Sequence, residues 1–269
     1  MHSILYEKLQ KSLESRKEIY LITFTMHPNK QLVGKQALLW LNGDLFSNSP
    51  LPASLKKSII ENDELIRRKR SWTHSLTDNE GIIEYFAEFF PVPPHLIIAG
   101  AGHVCEPVAM IGKMSGFFVT VIDDRIEYAN RNRFPMVDEV ICKPFVAFFK
   151  NVEITKETYI LLLTRGHKYD VLSLQELLKR KEKPAYIGMI GSRRRIAGVF
   201  EQLEQDFPNK ILDYLYTPVG LDIGAETPAE IAVSIMAEIL KLKNDKSGES
   251  LSTKVKKIAQ LGFREGVVR

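Results

Sequence analysis

Cysteine is scarce in this chain. Cys105 and Cys142 are the two it has, and neither belongs to a CxxC pair or a His-flanked array. This excludes a zinc site of the usual spacing and the disulfide framework of a small secreted domain. No apolar run approaches the roughly 18 residues that a membrane-spanning helix needs. The first residues, Met1-His2-Ser3-Ile4-Leu5-Tyr6-Glu7-Lys8, lack the apolar core of a secretory signal. A reducing cytoplasm is the expected setting. Charge of one sign is also in short supply. The net charge is +4, and the lysines and arginines are scattered instead of forming the basic stripe that nucleic acid would require. There is no internal repeat and no low-complexity segment. What is present is an ordinary globular composition, 45% hydrophobic over 269 residues, enough for one large or two modest domains.

The most informative stretch is Leu96-Ile97-Ile98-Ala99-Gly100-Ala101-Gly102, an apolar run ending in two glycines one residue apart. His103, Val104 and Cys105 follow. Further on, Phe118-Val119-Thr120-Val121-Ile122 runs into Asp123-Asp124. The order is strand, glycine turn, helix, second strand, acidic end. It predicts the opening of a Rossmann unit, where a pyrophosphate rests on backbone N–H groups at a helix N-terminus. The acidic end falls about 20 residues past the glycines, where a ribose hydroxyl finds its acceptor. Cys105 stands where the third glycine of the fingerprint would allow close helix–strand packing.

The fold class expected is α/β: a C-terminal Rossmann-like parallel sheet with helices on both faces, preceded by a smaller α+β domain. The boundaries read as 1–90 for the first domain, 95–242 for the Rossmann-like domain and 243–269 for a polar tail. Pro91-Val92-Pro93-Pro94 is the stiff connector. In the first domain, residues 3–17 and 54–68 read as helices, and 19–26, 36–41, 71–77 and 81–89 as strands. The basic run 67–70 reads as a solvated helix end. In the second domain, strands are expected at 95–100, 117–122, 138–141, 158–163 and 185–190. Helices are expected at 103–115, 125–132, 169–181, 192–205 and 227–242. Thr227-Pro228-Ala229-Glu230 is a capping box with proline at the first helical position.

Gly100-Ala101-Gly102-His103-Val104, Val121-Ile122-Asp123-Asp124-Arg125 and Arg133-Phe134-Pro135 resemble the XdhC/CoxI family of xanthine dehydrogenase accessory factors. So do Tyr186-Ile187-Gly188-Met189-Ile190-Gly191-Ser192-Arg193 and the long run from Thr217-Pro218-Val219-Gly220 to Glu230-Ile231-Ala232. These stretches occur in the family's order across the second domain. The resemblance implies a maturation factor for a molybdenum hydroxylase such as xanthine dehydrogenase. It implies handling of the molybdenum cofactor, a pterin dithiolene with a phosphate, and aid in loading its sulfurated form. A cysteine desulfurase as a further partner and a homodimer also belong to what it implies. Two places depart from the family. Where it carries Ser-Gly-Gly-Cys and then a glutamate, residues 45–52 read Leu-Phe-Ser-Asn-Ser-Pro-Leu-Pro. Where many relatives have histidine directly after a threonine, this chain reads Thr164-Arg165-Gly166-His167.

The candidate cofactor-binding residues are Gly100, Ala101, Gly102, His103, Val104, Asp123, Asp124, His167, Gly191, Ser192 and Arg193, with no metal site assigned. His103 and His167 can serve as acid and base or as plain hydrogen-bonding groups. Asp124 either lines the crevice or pairs with Arg125. Arg193 either holds a phosphate at a helix N-terminus or is part of a solvated helix start. Cys105, read as the cysteine at this edge, is either a packing residue or a reactive thiol. Asp222 and Glu226 can line the crevice, and Glu230 reads as the capping carboxylate. The ligand is left open between the molybdenum cofactor and NAD(P). The competing function is an NAD(P)-dependent oxidoreductase. Against it, no substrate domain follows, and no Tyr-x-x-x-Lys set lies near the crevice.

Overall fold

The computed structural model describes residues 3–52, 54–78, 81–204, 207, 215–253 and 255–256. It divides into two units, Met1–Pro93 and Pro94–Arg269.

The first unit is an antiparallel sheet with helices on both faces. Its strands are β1 (Ile19–Met26), β2 (Gln36–Trp40), β3 (Leu45–Ser47), β4 (Ser71–Asp78) and β5 (Gly81–Phe90), in the order β3-β2-β1-β5-β4. Side chains along a strand alternate between faces, and β1 shows what each face buries. Ile19 and Leu21 pack on Leu5 and Leu9 of α1 (Ser3–Glu14). Tyr20, Ile22 and Phe24 pack on Leu55 and Ile59 of α2 (Leu55–Glu61) and Ile66 of α3 (Asp63–Lys69). The single helix expected at 54–68 is thus two. Asn62 interrupts it at φ −104° and ψ 8°, and its side-chain amide donates to the Ser58 carbonyl at 2.7 Å. That bond offers the chain an alternative to continuing the helix. The basic run is not simply solvated. Arg67 donates to Asp63 at 2.8 Å and to Glu18 at 3.1 Å, and Lys69 lies 3.7 Å from the Trp72 ring centroid.

The second unit is a six-stranded parallel sheet. Its strands are β6 (His95–Ala99), β7 (Phe118–Asp123), β8 (Glu139–Cys142), β9 (Thr158–Leu162), β10 (Tyr186–Met189) and β11 (Leu215–Tyr216). They run β11-β10-β9-β6-β7-β8 across the sheet. The order reverses between β6 and β9, which is where ligands enter doubly wound sheets, outside the strands' carboxyl ends. Both faces are covered. Ile97, Ala99, Ile160 and Leu162 pack against α5 (Phe145–Asn151), α6 (His167–Lys179) and α7 (Arg193–Glu204). Leu96, Ile98, Val119 and Val121 pack against α4 (Cys105–Met114) and α8 (Pro228–Lys243). Because both faces are buried, these strands read as continuous apolar runs instead of alternating ones.

Several local expectations are corrected. Residues 125–132 are turns, not a helix. One turn forms, with the Ala129 N–H on the Arg125 carbonyl at 2.9 Å; the Asn132 N–H then donates to Asn130 Oδ1 at 2.9 Å, a local bond that competes with the next helical one. The short helix α5 adds to the expected elements, and Phe145, Phe148 and Phe149 give it an i, i+3, i+4 core face just past Pro144. Strands β3 and β11 have three and two residues, too few for a periodic signal. Close helix–strand packing is supplied at Gly112, where an added Cβ would lie 2.7 Å from Leu96 Cδ2 and 3.3 Å from Val119 Cγ2. Cys105 is fully buried at the start of α4. The last residues of the helix and tail expected at 192–205 and 243–269 lie partly outside the described residues.

Candidate functional site

The glycine turn after β6 is held from three sides. Gly100 has φ +110°, and an added Cβ would lie 2.4 Å from the Leu163 carbonyl oxygen and 3.0 Å from Thr164 Cα. No side chain fits there, because the ends of β6 and β9 touch at this residue. The Ala101 N–H donates to Asp123 Oδ2 at 2.9 Å, and the Ala101 carbonyl accepts from Arg133 Nη1 at 2.9 Å. Arg133 is also paired with Glu106 in the first turn of α4. Gly102 differs from Gly100. A Cβ there would meet nothing within 4 Å, so its open side is free for another molecule's close approach. Helix α4 then starts with no side-chain cap. Among the described residues, none accepts a hydrogen bond from the N–H of Gly102, His103 or Val104. Orphan N–H groups at a helix start favour an anion.

Asp123 and Asp124 end β7 at this edge. Asp123 is buried and accepts four hydrogen bonds. Two come from the N–H and Nε of Arg125 to Oδ1, at 3.1 and 2.8 Å. The others come from the Ala101 N–H and Arg125 Nη2 to Oδ2, at 2.9 and 3.0 Å. Burial by itself raises this carboxyl, but the Arg125 guanidinium and the Ala101 and Arg125 N–H groups outweigh it and hold Asp123 below the ordinary carboxylate range. A carboxylate lowered in the native state adds stability that is present above its unfolded value, about 3.9. That stability is lost as pH falls through the native value. Asp123→Asn is therefore expected to lower stability at pH 7 by about 1–3 kcal/mol and to flatten the acid limb. Urea unfolding at pH 7, 5 and 3 checks this; an acid limb as steep as the parent's would count against it.

Asp124 does not take Arg125 as its main partner. Arg165 holds it through Nη1 at 2.5 Å and Nη2 at 2.9 Å, while Arg125 Nε lies 3.9 Å away. Arg165 follows Thr164, where the sequence departs from the expected pattern, and it supplies the pair. Arg125 lies 3.6 Å from the Tyr128 ring centroid and Arg165 lies 4.1 Å from that of Tyr169.

The end of β9 carries a second network. Buried Asp170 accepts from the Thr164 hydroxyl at 2.6 Å and from Arg195 Nε at 2.9 Å, and Arg195 Nη2 donates to the Thr164 carbonyl at 3.0 Å. The third residue of α7 is thereby tied to the switch point. Arg195 is the arginine of this triplet that turns inward, whereas Arg193 and Arg194 are exposed. The sequence signal available was spacing: Ile196, Val199 and Leu203 are the buried face of α7, and position 195 borders it. Gly191 and Ser192 form the turn after β10, where Ser192 Oγ accepts weakly from the Arg195 N–H at 3.4 Å. His103 and His167 are both exposed, and no hydrogen bond joins them.

The remaining candidates divide plainly. Glu230 completes the capping box of α8: its carboxylate accepts from the Thr227 N–H at 2.9 Å, and Thr227 Oγ1 accepts from the Glu230 N–H at 3.3 Å. Asp222 and Glu226 are exposed. Burial pushes the Cys105 thiol far up, which favours the packing role. Cys105 is not the only cysteine at this edge. Cys142 is exposed at the end of β8, in register with Asp123. Sequence distance hid that neighbour. In the first unit, residues 45–47 of the divergent segment form edge strand β3, with the Ser47 hydroxyl donating to the Gln36 carbonyl at 3.0 Å. A cavity of about 720 Å³ adjoins it, lined by residues including Lys8, Lys11, Trp40, Asn42 and Phe46.

The family model described as the XdhC Rossmann domain matches residues 96–239. A protein of Escherichia coli (strain K12), called uncharacterized protein YqeB, is 33% identical over 175 residues. The match takes in 64% of this chain and 31% of that protein. A protein of Bacillus subtilis (strain 168), named as a probable xanthine dehydrogenase subunit, is 32% identical over 150 residues, covering 56% of this chain and 43% of that one. This chain therefore spans less than half the length of these curated relatives. A crystal structure from Bacillus halodurans, labelled a xanthine dehydrogenase, has a TM-score of 0.63 at 25% identity and covers 88% of this chain and 66% of its own.

Proposed function

This chain belongs to the family of the XdhC Rossmann domain, and from that premise we propose that it is an accessory factor for a molybdenum hydroxylase of the xanthine dehydrogenase kind. It binds a phosphate-bearing cofactor, the molybdenum cofactor or a nucleotide, at the carboxyl edge of its parallel sheet. It passes the sulfurated cofactor to the hydroxylase instead of turning over a metabolite itself, and a cysteine desulfurase supplies the sulfur. The xanthine dehydrogenase names of the Bacillus subtilis and Bacillus halodurans proteins support the partner. The observation that carries the reading is the glycine turn at the switch point. Gly102 is open, α4 is uncapped and three successive N–H groups have no acceptor among the described residues. Helix α8, by contrast, is closed by its own capping box.

The residues present fit the phosphate of such a cofactor. Gly102, His103 and Val104 would hold it through their N–H groups, with Ser192 and Arg193 at the turn after β10, two strands along the same edge. When bound, the molybdenum cofactor supplies a dithiolene for the metal. This chain's part is to anchor the phosphate and keep the turn rigid through Asp123 and Arg133. No helix among the described residues is long and apolar enough to cross a membrane.

Deletion of the gene tests the function. The hydroxylase polypeptide should stay at its normal level while its activity and sulfurated-cofactor content fall. A hydroxylase isolated from the deletion strain with its full complement of sulfurated cofactor would overturn the proposal.

A further inference from the structure

Granted the phosphate-binding crevice proposed above, the groups at its carboxyl edge decide which ligand it takes. Doubly wound sheets that bind a dinucleotide with a free ribose diol offer it a carboxylate at the end of the second strand. Here that strand is β7, and both of its terminal carboxylates are engaged. Asp123 accepts four hydrogen bonds from Arg125 and Ala101. This fills the roughly four lone-pair positions of a carboxylate, and its side chain is 1% exposed. Asp124 is held bidentate by Arg165, one bond to each oxygen, so a ligand reaching it must share it with that guanidinium.

The guanidiniums face outward more than the carboxylates, of which Asp123 is 1% and Asp124 22% exposed. Arg125 is 28% exposed with one face on Tyr128, and among the described residues its Nη1 has no partner. Arg165 is 35% exposed and lies on Tyr169. The hydroxyls of a diol need acceptors, whereas a phosphate monoester needs donors, and a planar guanidinium suits it. We infer that the crevice selects a ligand bearing a phosphate monoester in place of the free ribose diol, as in a 2′-phosphorylated adenosine nucleotide. Asp123 then acts as the positioning residue that orients Arg125, while Asp124 competes with the ligand's phosphate for Arg165.

The sign of one substitution separates the two arrangements. A phosphate on Arg165 must share that guanidinium with Asp124, so Asp124→Asn removes a competing negative charge and should tighten binding about fivefold. If Asp124 were instead the diol's acceptor, the same change would weaken binding about tenfold. The experiment is calorimetric titration of the full chain, its Asp124→Asn and Arg165→Ala variants, with unfolding midpoints recorded alongside. The probes are adenosine 2′,5′-bisphosphate and adenosine 5′-diphosphate, which carry the same number of phosphates, and inorganic pyrophosphate, which reports on the glycine turn alone. The expected result is at least a tenfold preference for the 2′,5′-bisphosphate, widened by Asp124→Asn and lost in Arg165→Ala. Equal or tighter binding of the 5′-diphosphate, weakening in Asp124→Asn, or pyrophosphate binding without either nucleotide would overturn the inference and leave the crevice intact. Failure of all three probes to bind would instead remove the crevice reading itself.

Discussion

Gly102→Val is expected to abolish binding of a phosphate-bearing ligand while leaving the fold unchanged, whereas Gly100→Ala is expected to lower the stability of the fold itself. The two glycines are one residue apart, and the structure gives them opposite reasons for being glycine. At Gly102 a side chain meets nothing of the protein within 4 Å. Its cost appears only when another molecule approaches the backbone, since valine's branched Cβ keeps a phosphate away from the uncapped N–H groups. At Gly100 the φ of +110° strains any other residue, by about 1–3 kcal/mol. The added methyl also lies 2.4 Å from the Leu163 carbonyl oxygen, a backbone atom that cannot swing aside. Overpacking adds about 1–3 kcal/mol. A total of about 2–6 kcal/mol is a large part of the usual stability of a domain, about 5–15 kcal/mol. Urea unfolding and ligand titration of both variants check the pair. A Gly102→Val protein with parental affinity for every nucleotide or pterin would remove the glycine turn from the site. A Gly100→Ala protein with an unchanged midpoint would refute the close contact of β6 and β9.

Arg195→Ala carries the other large expected effect, about 3–5 kcal/mol of lost stability at pH 7. Asp170 is fully buried, and Arg195 is the cation that balances it. Removing the guanidinium leaves a buried carboxylate with the Thr164 hydroxyl as its remaining partner. Asp170→Asn should cost less, about 1–2 kcal/mol, because the partly exposed Arg195 can return to water. The double variant should recover part of the Arg195→Ala loss. Burial already pushes the Asp170 carboxyl up, with Thr164 and Arg195 pulling against it. A carboxyl raised in the native state stabilises most below its unfolded value, about 3.9, and loses that contribution as pH rises through its native value. Without Arg195 the carboxyl rises further. The deficit of Arg195→Ala should therefore be small near pH 3 and grow toward pH 7. A deficit independent of pH would show that packing, not charge, is what Arg195 contributes.

Much of this protein is written locally. Strands 95–100 and 117–122 announce themselves as short, mostly apolar runs, and the Thr227–Glu230 capping box needs only four residues to specify itself. The glycine turn is legible because a strand, two glycines and a helix must be consecutive to work. The family was readable for the same reason, since its motifs are short and lie in fixed order. Where local rules competed, the reading failed: residues 125–132 have a helical composition, but the side chain of Asn130 claims the Asn132 N–H that a helix would use. The identity of the partners was not readable at all. Asp124 is next to Arg125 in sequence but bonded to Arg165, and Asp170 is completed by Arg195, 25 residues away. Cys142 stands beside Asp123 because β8 pairs with β7. Each of these contacts depends on the order of strands across the sheet, and strand order is set by the burial of two whole faces at once. The sequence by itself thus determined the elements, the glycine turn and the family. The tertiary structure alone decided which charges meet at the carboxyl edge, and so whether that edge presents carboxylates or guanidiniums to a ligand.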